Sequence, residues 1–193
     1  MGELSHELRS PLARLQAALA LAEHRRPMDA VERTRIEAEV QRLDSVIGDL
    51  LRFSRLDAAA PMSRRLLRIE ELLRALLQAE EIEAAPLGVK LEQGGDEELT
   101  VVGDPDLLRS GFENILRNAI RYAPAGTAVT VTARQRDTHI AVTIEDRGPG
   151  VPTEYLERMF EPYVRVPEPG ERAANGQASG TGLGLAIARR VFA

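Results

Sequence analysis

The chain has 193 residues, of which 44% are hydrophobic and 28% charged, as in an ordinary globular protein. Its formal net charge of -5 argues against bulk nucleic-acid binding, which usually requires a basic surface. The absence of cysteine excludes disulfide frameworks, cysteine zinc sites and cysteine nucleophiles. The sequence shows neither a long apolar run nor the pattern of a signal peptide, so these residues predict no membrane span.

Two amphipathic helices are predicted first. Residues 4–25 place apolar side chains at helical spacing, and Pro27 then breaks the pattern. A second run, heptad-like in its spacing, follows at Ile36, Val40, Leu43, Ile47 and Leu50. The pair predicts a helical hairpin over residues 1–58. Because one partner helix cannot cover either stripe, we expect two chains to form a dimeric four-helix bundle; the alternative is an intramolecular pair covered by the rest of the chain.

After a linker near residues 58–63, helical spacing alone gives way to a mixture of strand and helix patterns. Residues 65–193 therefore predict an α+β sandwich. Strands are expected at "RLLRI", "GVKLEQ", "LTVV", "AVTVTARQR" and "HIAVTIEDR", with the last two paired antiparallel. Helices are expected at residues 70–85 and 104–122, at "TEYLERM", and from Thr181 onward. Asp104 is a predicted N-cap with Pro105 in the first turn, and residues 168–179 predict a mobile loop.

The first helix presents an unusual polar group in "LSHELRSPL". Helical phase places His6 nearly opposite the apolar stripe, with Ser10 beside it one turn later. An exposed neutral imidazole is a competent nucleophile, and Glu7 can accept the proton of its other ring nitrogen. Pro11 removes a backbone donor and bends the helix just after this group. Taken alone, these residues are explained more simply by a solvated surface histidine.

A pair of asparagines marks the helix in "FENILRNAIRY". Asn114 and Asn118 are separated by four residues and therefore share one face. Their amide oxygens are hard ligands of the kind that Mg²⁺ accepts, and Arg121 and Tyr122 extend the same surface. The alternative is a solvated face with no ligand.

Two glycine-containing stretches follow. In "EDRGPGVP", Asp146 lies at a strand end and can accept from an exocyclic amine such as that of adenine, or it can simply cap a tight turn. In "SGTGLGLAIARR", glycines leave backbone N–H groups accessible at a helix start, which is typical of an anion site or of a flexible hinge. The second stretch matches neither a Walker loop nor a Rossmann fingerprint.

In their order along the chain, these stretches resemble the conserved boxes of the sensor histidine kinases of bacterial two-component systems. "SHELRSPL" resembles the histidine box, "NILRNAIRY" the asparagine box, "DRGPGV" the first glycine box, "MFEPYVR" the phenylalanine box and "GTGLGLAI" the second glycine box. "IEAEVQRLDSVIGDLL", "GDPDLL" and "SPLARLQ" are most similar to the envelope-stress, Cpx-type branch.

The resemblance implies roles for the residues of the first helix. It makes His6 the phosphoacceptor and Glu7 the group that assists its deprotonation. Ser10 stands where the family often has Thr or Asn, which is credited with placing water for phosphatase activity.

The resemblance also implies a nucleotide site. It assigns Mg²⁺ and the phosphates to Asn114 and Asn118, and the adenine amine to Asp146 in a pocket shaped by Gly148 and Gly150. Phe160 would anchor an ATP lid over roughly residues 160–180. The remaining expected nucleotide contacts are Arg121, Tyr122, Arg165, Gly180, Thr181, Gly182, Leu183 and Gly184.

The implied protein is an ATP-dependent histidine kinase core with a Hsp90-like ATP-binding domain over residues 65–193. It would use ATP and Mg²⁺, act as a homodimer, and pass its phosphoryl group to a response regulator receiver domain. It would lie on the cytoplasmic side of the bacterial inner membrane, reached only through upstream segments. Because the family's nucleotide domain continues into further strands, we expect this one to be truncated at its C-terminus. The alternatives are a non-catalytic dimerisation and docking fragment, and another ATPase of the same fold, which would lack the histidine hairpin.

Overall fold

The computed structural model describes residues 63–166 and 182–193, together with residues 29, 33, 34, 36, 40, 43 and 46–50. The five expected apolar positions of the second helix are all helical. Val40 is buried, whereas Leu43 and Leu50 are each 42% exposed. The apolar stripe of this helix is therefore only partly covered. The first predicted helix and most of the linker lie outside the described residues, as does the loop at 168–179.

Five strands lie in the described part of the chain after residue 63. They are β1 (Arg65–Arg68), β2 (Lys90–Gly95), β3 (Thr100–Gly103), β4 (Ala128–Arg136) and β5 (His139–Glu145). β1 pairs antiparallel with β3, and a three-stranded sheet has the order β2-β4-β5. In that sheet β2 runs parallel to β4, while β5 is the antiparallel partner that the alternating pattern predicted.

In the same described part of the chain lie three α-helices: α1 (Ile69–Ala84), α2 (Pro105–Tyr122) and α3 (Gly184–Phe192). Short 3-10 turns lie at Ala85–Leu87, Thr153–Tyr155 and Arg158–Phe160. The parallel pairing of β2 with β4 requires a long crossover, which β3 and α2 provide. The predicted α+β class is confirmed. Among the helices that the structure describes, none is both long and apolar enough to cross a bilayer.

The core lies between α1, α2 and one face of the three-stranded sheet. Alternation along β4 turns every second side chain inward from Val129 to Ala133, and these three residues are at most 2% exposed. The helices contribute inward residues that are equally well covered, and each fully buried leucine stabilises the fold by about 1.5–3 kcal/mol. The best-buried members of this core are Val129, Val131, Ala133, Leu73, Leu76, Ala84 and Leu116.

The start of α2 confirms the predicted cap. The Oδ1 atom of Asp104 accepts hydrogen bonds from the backbone N–H groups of Asp106 at 3.0 Å and Leu107 at 3.2 Å. Its Oδ2 atom accepts from the backbone N–H of Ser63 at 3.0 Å. One carboxylate therefore begins the helix that carries the asparagines and also holds the chain that enters β1.

Two helix predictions need correction. "TEYLERM" forms two separate 3-10 turns instead of one helix, because seven residues without a side-chain cap do not offset the cost of helix nucleation. The last helix begins at Gly184 and not at Thr181. The reason is local, since Gly182 has a φ of +70° and a left-handed residue cannot belong to a right-handed helix.

Candidate functional site

The two asparagines lie on α2 as predicted, and both are half-buried. The Nδ2 atom of Asn114 donates a hydrogen bond to the backbone oxygen of Ser110, one turn earlier, at 2.9 Å. Because its nitrogen is held by the helix, the side chain presents Oδ1 on the other side of the amide. That orientation suits a hard cation, which needs the oxygen.

The glycine-rich stretch meets α2 at this amide. A Cβ atom placed on Gly184 would lie 2.7 Å from Oδ1 of Asn114, so any larger residue would displace that side chain. At the other end of α3, a Cβ on Gly111 would lie 2.8 Å from the Phe192 ring, which packs at a tilt against Phe112 with centroids 4.7 Å apart. Close packing of α2 and α3 therefore brings the first turn of α3 beside the asparagines.

The two ends of the expected lid lie side by side. The backbone N–H of Tyr163 donates to the backbone oxygen of Gly182 at 2.9 Å. A Cβ on Gly182 would lie 2.9 Å from the Cα of Tyr163, which is closer than real Cβ atoms approach. Leu183, only 1% exposed, anchors the start of α3, and the 3-10 turn that ends at Phe160 contacts the same helix. Tyr163 was absent from the predicted site, although "MFEPYVR" contains it.

The loop after β5 lies against the other end of α2. The backbone N–H of Gly148 donates to Oδ1 of Asp146 at 2.7 Å, which is the capped turn that the simpler interpretation expects. A Cβ on Gly148 would lie 2.8 Å from the backbone oxygen of Tyr122, so the loop approaches α2 closely enough to require glycine. Gly150 has a φ of +76° and open space around it. This loop is therefore both a capped turn and a segment in close contact with the end of α2.

Positive charge lies next to this loop. The guanidinium carbon of Arg121 is 5.3 Å from the ring centroid of Tyr122, a cation–π contact at the C-terminal end of α2. Both side chains are exposed, as is Arg165 shortly after Tyr163. These residues can therefore meet an anionic ligand without first being uncovered.

One charged group at the α1–α2 contact was not predicted. Glu80 is 3% exposed, and both of its carboxylate oxygens accept from Nε of Arg117, at 3.1 and 3.2 Å. Burial raises the pKa of Glu80 despite this pairing. Burial alone would lower the pKa of Arg117, but its hydrogen bond to Glu80 and the nearby carboxylates raise it. Its spacing in the sequence could have indicated that Glu80 is buried, since it continues the apolar stripe of Leu73, Leu76 and Leu77.

A magnesium site can draw on few ligands here. Within the described residues, no group of three or more His, Asp or Glu side chains could hold a metal ion. The two amide oxygens on α2 do fit Mg²⁺, which keeps several waters and takes further ligands from phosphates. Five predicted residues lie outside the described ranges: His6, Glu7, Ser10, Gly180 and Thr181.

Two family models match the chain. Residues 1–59 match the "His Kinase A (phospho-acceptor) domain", and residues 103–193 match the "Histidine kinase-, DNA gyrase B-, and HSP90-like ATPase" family. The chain therefore joins a phosphoacceptor domain to an ATPase-type domain.

Individual relatives place this combination in one family. The chain is 38% identical over 188 residues to sensor histidine kinase CpxA of Escherichia coli strain K12, a match that covers 97% of this chain and 40% of that relative. It is 34% identical over 189 residues to the histidine-protein kinase BaeS of the same strain, with the same coverage of both chains. Full-length ShkA in complex with AMPPNP has a TM-score of 0.75 at 32% identity, covering 98% of this chain and 39% of that one.

The chain belongs to the sensor histidine kinase family, as predicted, and the expected similarity to the Cpx-type branch is confirmed. It spans about two fifths of the length of the curated relatives it matches.

Proposed function

We propose that this chain is the catalytic core of a sensor histidine kinase, which transfers the γ-phosphoryl group of Mg-ATP to His6 and then to an aspartate of a response regulator. One observation supports this most. Three stretches that are distant in sequence meet around α2: the asparagines on the helix itself, the first turn of α3 at Gly184, and the Asp146 loop. An amide pair between a glycine-rich helix start and an acidic turn suits a nucleotide triphosphate with its metal.

Different residues around α2 would bind different parts of the nucleotide. Asn114 and Asn118 would hold Mg²⁺, which when bound neutralises phosphate charge and orients the γ-phosphoryl group. The backbone N–H groups from Gly180 to Gly184 would hold phosphate oxygens, because helix starts attract anions. Asp146 would accept from the adenine amine, in a pocket shaped by Gly148 and Gly150 and bordered by Tyr122. Arg121 and Arg165 would add positive charge near the phosphates.

His6 would perform the chemistry. The lone pair of one imidazole nitrogen attacks the γ-phosphorus, and the bond from that phosphorus to the bridging oxygen breaks, so that ADP leaves with the electron pair. Glu7 takes the proton from the other ring nitrogen. In the second step the phosphorus–nitrogen bond breaks as a regulator carboxylate attacks. Ser10 is suited to the reverse, hydrolytic activity through its hydroxyl.

Assembly as a homodimer follows from the second helix. Leu43 and Leu50 are seven residues apart and each 42% exposed, which is the pattern of a seam that a second helical hairpin covers. The full-length protein would lie on the cytoplasmic side of the bacterial inner membrane, where ATP and the regulator are available.

Incubation with Mg²⁺ and ATP radiolabelled on its γ-phosphate tests the proposal. We expect an acid-labile, base-stable label on the chain that is lost in His6→Gln. His139→Gln, at the exposed start of β5, is the matched control and keeps the label. Label that survives in His6→Gln would overturn the assignment of His6. Binding of AMPPNP without any label would instead favour a non-catalytic docking fragment.

A further inference from the structure

The contact between α1 and α2 contains one guanidinium and three carboxylates, which we call the Arg117 cluster. Nε of Arg117 contacts both oxygens of Glu80 at 3.1 and 3.2 Å. Its Nη2 atom lies 2.9 Å from Glu113 and 3.6 Å from Glu83. Glu80 and Glu83 belong to α1, while Glu113 and Arg117 belong to α2, so the cluster joins the two helices.

Stability alone does not account for this cluster. The Glu80 side chain is 4% exposed, and a carboxylate so deeply buried costs free energy that its ion pair only partly offsets. The other inward residues of α1 near it are apolar, and an apolar residue of similar size at position 80 would serve packing at least as well. A contact of this kind is directional, however, which a leucine contact is not.

Direction matters because of where Arg117 lies on α2. It follows Asn114 by three residues and directly precedes Asn118, so all three lie on adjoining parts of one helical surface. The guanidinium reaches α1 from two nitrogens, through Nε to Glu80 and through Nη2 to Glu83, and this planar group resists both rotation and sliding of its helix. Rotation of α2 would move the Asn114 amide away from Gly184 and the Tyr122 backbone away from Gly148.

We propose that Glu80 is a positioning residue for the nucleotide site: through Arg117 it fixes the rotation of α2 against α1 and so aims the asparagine amides at the Mg-ATP position. The proposal rests on the proposed function, because it concerns the same site. Glu80 itself touches no part of the nucleotide. Removing its charge should weaken nucleotide binding more than it loosens the fold.

The test compares two buried carboxylates of α1. Glu80→Gln removes the charge that faces α2. Glu70→Gln is the matched control, because Glu70 is also buried in α1 but pairs with Arg68 of β1, at 2.9 Å. Equilibrium binding of AMPPNP with Mg²⁺ to the whole chain is measured by calorimetry, with melting temperatures in parallel. We expect Glu80→Gln to bind about tenfold more weakly and Glu70→Gln to bind as the unmodified chain does.

A double-mutant cycle separates positioning from general loosening. Arg117→Gln should weaken binding as much as Glu80→Gln does, and the double variant should be no weaker than either single one, because the two residues act as one unit. Arg117→Lys, which keeps the charge but replaces the planar guanidinium with a single nitrogen, should lie in between. If Glu80→Gln unfolds, the half-exposed Arg117 provides the same comparison through Arg117→Gln and Arg117→Lys.

Four results would overturn the inference. If Glu70→Gln and Glu80→Gln weakened AMPPNP binding equally, lost stability would explain the effect. Unchanged binding in Glu80→Gln, or strictly additive effects in the cycle, would show that the cluster does not aim the amides. Failure of the unmodified chain to bind AMPPNP would refute both the proposed function and this inference. Binding of AMPPNP that is unaffected by Glu80→Gln would refute the inference alone.

Discussion

The two glycine-containing loops on either side of α2 carry the same Gly-x-Gly spacing but are constrained in different ways. At the start of α3, Gly182 combines a φ of +70° with a backbone contact to Tyr163, and Gly184 faces only the side chain of Asn114. In the Asp146 loop, Gly148 approaches the backbone of Tyr122 with an ordinary φ, and Gly150 has a positive φ with nothing near it. One spacing therefore serves four separate physical requirements.

The comparison predicts the largest effect at Gly182. Gly182→Ala would add left-handed strain of about 1–2 kcal/mol and would also force the Tyr163 backbone away, since no flexible side chain can yield. We expect a lower melting temperature and AMPPNP binding weakened by about tenfold or more, or about 1.4 kcal/mol. Calorimetry and thermal melting provide the two measurements. Gly94→Ala in β2, where a Cβ has open space, is the control and should change neither.

Gly148→Ala should have the next largest effect. Its new Cβ would meet the Tyr122 backbone oxygen at 2.8 Å without added φ strain, so the Asp146 loop must move outward, at about 1–3 kcal/mol for overpacking. Because Asp146 is the proposed reader of adenine, the variant should lose preference for ATP over GTP in competition binding. Weaker binding with an unchanged ATP-to-GTP ratio would separate Gly148 from base recognition.

Gly184→Ala should leave stability nearly unchanged. Displacing the Asn114 amide costs its hydrogen bond to Ser110, about 1 kcal/mol, while alanine in place of glycine stabilises the first turn of α3 by about as much. We expect weaker AMPPNP binding in Mg²⁺ but little change in EDTA, because only the metal ligand has moved. Equal weakening in both buffers would indicate that the loop, and not the amide, is disturbed.

Gly150→Ala should have the smallest effect on nucleotide binding. The added Cβ meets nothing within 4 Å, so only left-handed strain of about 1 kcal/mol remains. Urea unfolding should report that loss, while AMPPNP binding should weaken least among the four variants, because the added Cβ meets no protein atom. Gly150→Asn should lose less stability, since asparagine tolerates this conformation better. A large loss of AMPPNP binding in either variant would indicate that Gly150 contacts the nucleotide directly, and the contrast with Gly148 would then fail.

The features that could be predicted from the sequence are those that depend on local interactions. The Asp104 cap, the paired alternation of β4 and β5, and the shared helical face of Asn114 and Asn118 depend on residues that are near in sequence. The seven residues of "TEYLERM" contain helix-forming side chains but no cap, and local pattern could not show that they would stop as two 3-10 turns. Glu80 carries two conflicting local signals, since its charge favours solvent while its position on the apolar face of α1 favours burial.

The sequence by itself determined the family boxes, the α+β class, and the helix that carries the two asparagines, because periodicity and capping act over a few residues. Only the tertiary structure decided which glycines are required and by what contact. Those requirements come from Tyr163, Asn114 and Tyr122, which lie far from the glycines in sequence. Steric contact between distant segments follows from how α2 packs against α3 and the Asp146 loop, and no local pattern encodes that distance.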